Sequence, residues 1–274
     1  MADNTVHGAV DRATSTSTFE NVARAGYVTS GVLHLLLGYI VVRLALGGGG
    51  GQNADQSGAL ATLASSGGGA VTLWIAAVGL FGLAAWRLAE TVVGSHPNEP
   101  SDSDKGAKKQ VKRVKSLALA VVYCGLAISA IRFASGSGQS SGQQNSGMSA
   151  QLMQSGWGKA VLIIVGLVVI GVGGYHVYKG ASQKFLDDLK TSGGSVITPL
   201  GMAGYIAKGA VLAGAGLLVI IATLNADPAK ASGIDAAVKA LGEAPFGKFL
   251  LIAAAIGFAA YGAYSFVMAR YARM

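Results

Sequence analysis

Six apolar stretches run along this chain, at roughly 24–46, 71–93, 114–134, 158–179, 201–224 and 248–269. Each is long enough for a helix rising ~1.5 Å per residue to cross ~30 Å of hydrocarbon. A backbone in lipid must satisfy its own hydrogen bonds, and a proline breaks that ladder. All five prolines (Pro97, Pro100, Pro199, Pro228, Pro245) fall outside the six stretches. Only 12% of the 274 residues are charged against 51% hydrophobic, and the mean hydropathy is +0.49. So few charges cannot cover a water-soluble surface, and disorder needs the opposite balance. The expected fold class is an all-α integral membrane protein with six transmembrane helices.

The stretches are also repeated. Shifting the sequence by 89 residues, and again by 178, superposes features without a gap. Arg43 falls on Arg132, Ala25-Gly26-Tyr27 on Ala203-Gly204-Tyr205, and Gly31 on Gly209. Trp86, Tyr175 and Tyr264 coincide, as do Leu63, Leu152 and Leu241. Three tandem two-helix units follow, over 20–108, 109–197 and 198–274, after a tail at 1–19. Each unit crosses the membrane an even number of times, so all three enter in one orientation. A pseudo-three-fold bundle of hairpins about the membrane normal is the expected arrangement.

Lys and Arg set the orientation. Thirteen lie in the N-terminal tail, the two inter-repeat linkers and the C-terminal end, against four in the three opposite loops. That bias predicts a bacterial plasma membrane protein with both termini in the cytoplasm. The first 20 residues are polar and lack a basic start followed by an apolar core, so they read as a flexible tail. The Gly/Ser/Gln-rich outer loops are expected to be too entropic for a tight outer domain, apart from one short interfacial helix each, as around Ala59-Leu60-Leu63.

Arg24-Ala25-Gly26-Tyr27 with Gly31, then Gly58-Ala59-Leu60 and Leu63, resemble the bacterial family called domain of unknown function 1206. The resemblance covers nearly everything from residue 20 onward and implies three tandem two-helix repeats in a membrane. It supplies no catalytic or binding residues. The second copy departs from the pattern: Lys115-Ser116 stands where the first has Gly26-Tyr27, and Ala120 where it has Gly31.

Polar residues within the spans are the place to look for chemistry, because burying them in lipid is costly. His34 shares a helix face with Ser30 and Gly38; the plainer reading is an interhelical hydrogen bond, the functional one a proton relay or ligand contact. His176 lies about 10 Å nearer the cytoplasmic end than His34, which argues against haem ligation by the pair. Arg87 and Glu90 are three apart and close enough to pair. Lys208 aligns with Ser30 and Leu119, while Arg87, His176 and Ser265 share another repeat position. Five residues therefore form the candidate intramembrane polar site: His34, Lys208, Arg87, Glu90 and His176.

Other residues have structural readings. Gly31, Gly209, Ala213, Ala253 and Gly257 have the spacing of helix-packing faces. Arg43, Arg132, Trp74, Trp157, Tyr27 and Tyr205 read as interface anchors, since long or amphipathic side chains reach the headgroups. Lys105, Lys108, Lys109, Lys112, Arg113 and Lys115 concentrate charge suited to anionic lipid, besides setting topology. The single Cys124 excludes a disulfide framework. A net charge of +8 is explained by topology, since no nucleic-acid fold accompanies it. No cofactor or metal is expected.

Missing catalytic constellations, small-residue helix faces and loose outer loops together point to a non-enzymatic accessory or scaffold subunit. It would dock beside other integral membrane subunits of a larger assembly, a respiratory-chain complex being one instance. The alternative is a small transporter or channel for ions, protons or small solutes, using the intramembrane polar residues.

Overall fold

The computed structural model describes residues 17–48, 51–93 and 107–273. Nine α-helices occur among them: α1 (Ser17–Ala45), α2 (Gln56–Ala64), α3 (Gly69–Val93), α4 (Ala107–Ala134), α5 (Ser141–Met153), α6 (Gly156–Ala181), α7 (Ile197–Leu224), α8 (Ile234–Glu243) and α9 (Gly247–Tyr271). No β-strand accompanies them among the described residues. The six long helices (α1, α3, α4, α6, α7, α9) are apolar and long enough to span a bilayer. They run alternately between a terminal face, where α1 begins and α9 ends, and a distal face.

Which helices meet is decided by small residues, because in lipid no water drives helices together and close backbone approach must do so. All three seams between repeats are built: α3 with α4, α6 with α7, and α9 with α1. In the α6–α7 seam, Gly166 and Gly173 face Gly216 and Gly209. A Cβ at Gly173 would lie 2.6 Å from the Gly209 carbonyl, and one at Gly209 would lie 2.5 Å from that of Gly173. Gly31 and Gly262 exchange the same approach between α1 and α9, at 3.0 and 2.9 Å. The corresponding positions of the α3–α4 seam carry Ala120 and Ala84, both buried. Each repeat thus keeps a small residue wherever it meets the next.

The seams within repeats are not equivalent. In repeat 1, α1 packs on α3, with Gly26 against Gly79; in repeat 3, α7 packs on α9, with Gly204 against Tyr261 and Gly257 against Ala207. In repeat 2, no such seam joins α4 to α6 among the described residues. The sequence supplies the reason. The repeat 2 positions equivalent to Gly26 and Gly204, and to Gly79 and Gly257, are Lys115 and Val168. Neither residue type offers the bare backbone that a close helix contact needs. The six helices therefore form an open ring, broken between α4 and α6.

The distal face corrects the expectation of loose outer loops. Short helices α2, α5 and α8 interlock there, each leaning on the next repeat. Asp55 accepts from the Gly58 amide at 3.1 Å to cap α2, and from Ser57 Oγ at 2.5 Å. Ser57 Oγ in turn accepts from the Ser141 amide at 3.1 Å, tying repeat 1 to repeat 2. The buried Asp235 of α8 accepts from the Ala54 amide at 2.7 Å and pairs with Lys239 at 2.8 Å, tying repeat 3 to repeat 1. Glycine-rich composition hid this because a few buried carboxylates organise backbone amides that carry no sequence signal. Asp235→Ala strands the Ala54 N–H, a cost of about 1–3 kcal/mol. Hydrogen exchange is expected to show faster exchange confined to the segment 51–60, and unchanged exchange there would refute the tie.

On the terminal face the ring is clasped by Arg24, which donates to the carbonyls of Ala269 and Arg270 at 2.8 Å each. These are end carbonyls of α9, a partial negative charge that a guanidinium complements. A 3₁₀ turn at Lys184–Asp188 then inserts Phe185 beneath the bundle, fully buried. The C-terminal strand-like end holds that turn through the bridge from Leu189 to Ala272. Arg273 adds hydrogen bonds to Leu189 O at 2.7 Å and Asp188 O at 2.9 Å.

Candidate functional site

The terminal half of the ring encloses a cluster of aromatic and cationic side chains drawn from all three repeats. Lys208 (α7) and Tyr261 (α9) lie about 15 Å from the terminal ends of their helices, and His34 (α1) about 15 Å from Arg24, where the apolar span of α1 begins. Tyr261 is buried and meets two basic side chains. The Lys208 ammonium sits 4.0 Å from its ring centroid, and the His34 ring lies 4.6 Å away, tilted by 47°. Tyr261 meets Tyr205 edge-on at 5.3 Å, and Tyr205 stacks on Phe185 at 5.5 Å. His176 approaches Tyr205 as well, at 5.8 Å. Tyr264 closes the cluster, donating its hydroxyl to the Phe185 carbonyl at 3.0 Å.

The histidines are oriented by their own helices. His34 Nδ1 lies 2.7 Å from the Ser30 carbonyl, and His176 Nδ1 2.8 Å from that of Val172. A carbonyl only accepts, so Nδ1 carries the proton in both rings and the neutral ring keeps its Nε2 lone pair. Each donation runs one turn back along the same helix, so neither histidine joins two helices by this bond.

The cations differ in their compensation. Lys179, counted in the sequence only toward topology, is buried and forms an ion pair with Asp188. It also lies 5.3 Å from the Tyr205 ring. Arg87 donates to the Tyr27 hydroxyl at 3.2 Å. Lys208 has no ion pair among the described residues, and its contact is the face of Tyr261. A cation–π contact contributes about 0.5–2 kcal/mol. A lysine at the centre of a membrane helix costs about 2.5–3.5 kcal/mol on insertion scales. The ring of Tyr261 offsets part of that cost.

Of the five sequence candidates, His34, Lys208 and His176 converge on the Tyr205–Tyr261 pair, and Arg87 joins through Tyr27. The side chain of Glu90 lies outside the described ones, as do Lys105 and the side chains of Lys108, Lys109, Lys112 and Lys115; Arg113 is half-buried. Tyr27 and Tyr205 are not interface anchors: each is 6% exposed, because Gly26 and Gly204 beside them bring neighbouring helices close enough to cover the rings. Ala253 does not pack either, since it is exposed on α9 while Ala254, Ala255 and Gly257 turn inward. Gly31, Gly209, Ala213 and Gly257 lie in seams. Trp157, Trp74 and Arg132 face outward, and Arg43 reaches the Gly48 carbonyl at 2.9 Å. Tyr261, Phe185, Asp188 and Lys179 were missed; the recurrence of aromatics at a repeat position, Tyr264 with Trp86, was the available signal for this layer.

The repeat geometry matches a known sequence pattern. The model of Domain of Unknown Function (DUF1206) matches residues 25–94, 114–183 and 203–272, segments that begin 89 residues apart. The chain belongs to this family. Each DUF1206 match contains one long helix, the distal segment and the next long helix. The chain is also similar to an uncharacterized protein, YxxB, of Bacillus subtilis (strain 168), at 28% identity over 256 residues, covering 92% of this chain and 90% of the relative. No solved structure matches. Family membership thus carries the six-helix repeat fold, and the chemistry has to be read from the DUF1206 bundle itself.

Proposed function

We propose that the protein is a non-enzymatic accessory or scaffold subunit of the bacterial plasma membrane, docked on a larger membrane assembly through its open side. One observation carries this reading: repeat 2 has no seam between α4 and α6, and Lys115 and Val168 stand where repeats 1 and 3 have the glycines of that seam. The consequence is exposure. Only 17% of the apolar span of α4, and 17% of that of α6, is buried, against 39% to 56% in the other four. Trp86 and Tyr264 are buried, whereas their repeat equivalent Tyr175 is exposed.

Gly125 on α4, and Gly171 and Gly174 on α6, would meet nothing within 4 Å if given a Cβ. Gly125 and Gly171 point away from the single seam that each helix makes, at depths within ~2 Å of each other. A glycine facing lipid weakens a helix without gain, whereas facing another backbone it permits close approach. A transmembrane helix of a partner subunit fits that requirement. Transport has less support, because all six long helices are unbroken among the described residues and discontinuous helices usually build a transporter's midplane site.

Gentle extraction from the native membrane, followed by native mass and composition, tests the proposal. Stoichiometric co-purification with a larger assembly is expected. The double substitution Lys115→Gly with Val168→Gly should let α4 and α6 close, which a cysteine crosslink between them would register. The folded, closed variant is expected to lose its partner. A lone chain under several gentle conditions, or undiminished co-purification with the seam closed, overturns the reading.

A further inference from the structure

We infer that Lys208, with the Tyr261 ring and His34 around it, forms a binding site for one monoanionic carboxylate inside the bundle. The first argument is charge. Among the described residues no carboxylate pairs with Lys208, and His34, which meets the same Tyr261 ring, is a second basic group rather than an acid. The nearest described acid of the cluster, Asp188, is engaged by Lys179. An ammonium held at mid-membrane by an aromatic face alone lacks its counter-ion.

The second argument is that the fold does not require the charge. The same repeat position is Ser30 in α1 and Leu119 in α4, both neutral and both in intact helices. Tyr261 likewise has Leu83 and Val172 as its equivalents, and His34 has Tyr123 and Leu212. The three groups that surround this point are each present in one repeat only. They are assembled because α9 packs between α1 and α7.

The third argument identifies the ligand class. One full positive charge matches a monoanion. The Tyr261 ring beside the ammonium suits the aryl or hydrocarbon body of a carboxylic acid, and it compensates poorly for the lost water of a strongly hydrated ion such as phosphate. Lys208 is half-buried rather than fully enclosed. The acid has two sources, the bilayer or the water at the terminal face.

Equilibrium binding of radiolabelled oleate and of radiolabelled benzoate to the full chain in phosphatidylcholine nanodiscs tests this, with empty nanodiscs subtracted. Saturation near one carboxylate per chain is expected for at least one probe. Lys208→Leu, which installs the residue repeat 2 already has there, should weaken binding by about tenfold or more, and Lys208→Arg should retain it. Lys208→Gln supplies a second neutral variant and should lose binding equally. Saturation by oleate alone assigns the ligand to the bilayer, and saturation by benzoate assigns it to the water. Absence of saturable binding by both probes, or unchanged affinity in a folded neutral variant, overturns the site. Neither result depends on whether the chain docks on a partner.

Discussion

Gly173→Leu is expected to cost about 3 kcal/mol or more and to unfold the detergent-solubilised chain well below the wild-type temperature. A Cβ at this position would meet the Ala213 amide nitrogen at 2.5 Å and the Gly209 carbonyl oxygen at 2.6 Å. Both are backbone atoms of α7, so no side-chain rotation makes room and the whole α6–α7 seam must spread. That seam joins repeat 2 to repeat 3, and α6 has no seam with α4 to hold it in place. Gly171, two residues away, provides the internal control. A Cβ there meets nothing within 4 Å, so Gly171→Ala should be neutral or stabilise by about 0.5–1 kcal/mol through helix propensity. Equal thermal midpoints for Gly173→Leu and Gly171→Ala would show that close glycine contact does not hold the ring together.

Phe185→Ala should destabilise by about 3–5 kcal/mol, the usual cost of emptying a fully buried phenylalanine site. The ring stacks on Tyr205 and meets Tyr264 edge-on at 5.3 Å, so its loss opens a cavity directly below the aromatic–cationic cluster. The segment around it is short and held mainly by Arg273 and by the Leu189–Ala272 bridge. Faster proteolysis within 182–196 should therefore accompany the lower thermal midpoint. A midpoint within 1 °C of wild type, roughly the resolution of such a shift against 2–4 °C per kcal/mol, would mean that the turn is not part of the cooperative unit.

These two positions differ in how visible they are before folding. The glycines at 166, 173 and 180 recur at a spacing of seven, a helical period on one face, and their role follows from small-residue packing. Phe185 sits in a polar linker between two spans, where nothing local distinguishes a plug from a loop residue. Lys179 and Asp188 are similar. Their nine-residue separation pairs them only because the chain turns back beneath α6. His34 and Lys208 were legible as candidates, since a basic group within an apolar span is conspicuous. Tyr261, which brings them together, looked like any other aromatic in a helix.

The sequence by itself determined the number of crossings, the period of 89 and the three-repeat plan, because apolar length and repetition are local properties that lipid enforces directly. It also contained Lys115 and Val168 in the second copy. What it did not contain was the meaning of those two residues, because a repeat alignment does not say whether a position faces its own hairpin partner or the next repeat. Only the packed bundle decides that. Small residues are kept at the seams between repeats and lost at the one within repeat 2, so a nearly symmetric sequence folds into a ring with one side open.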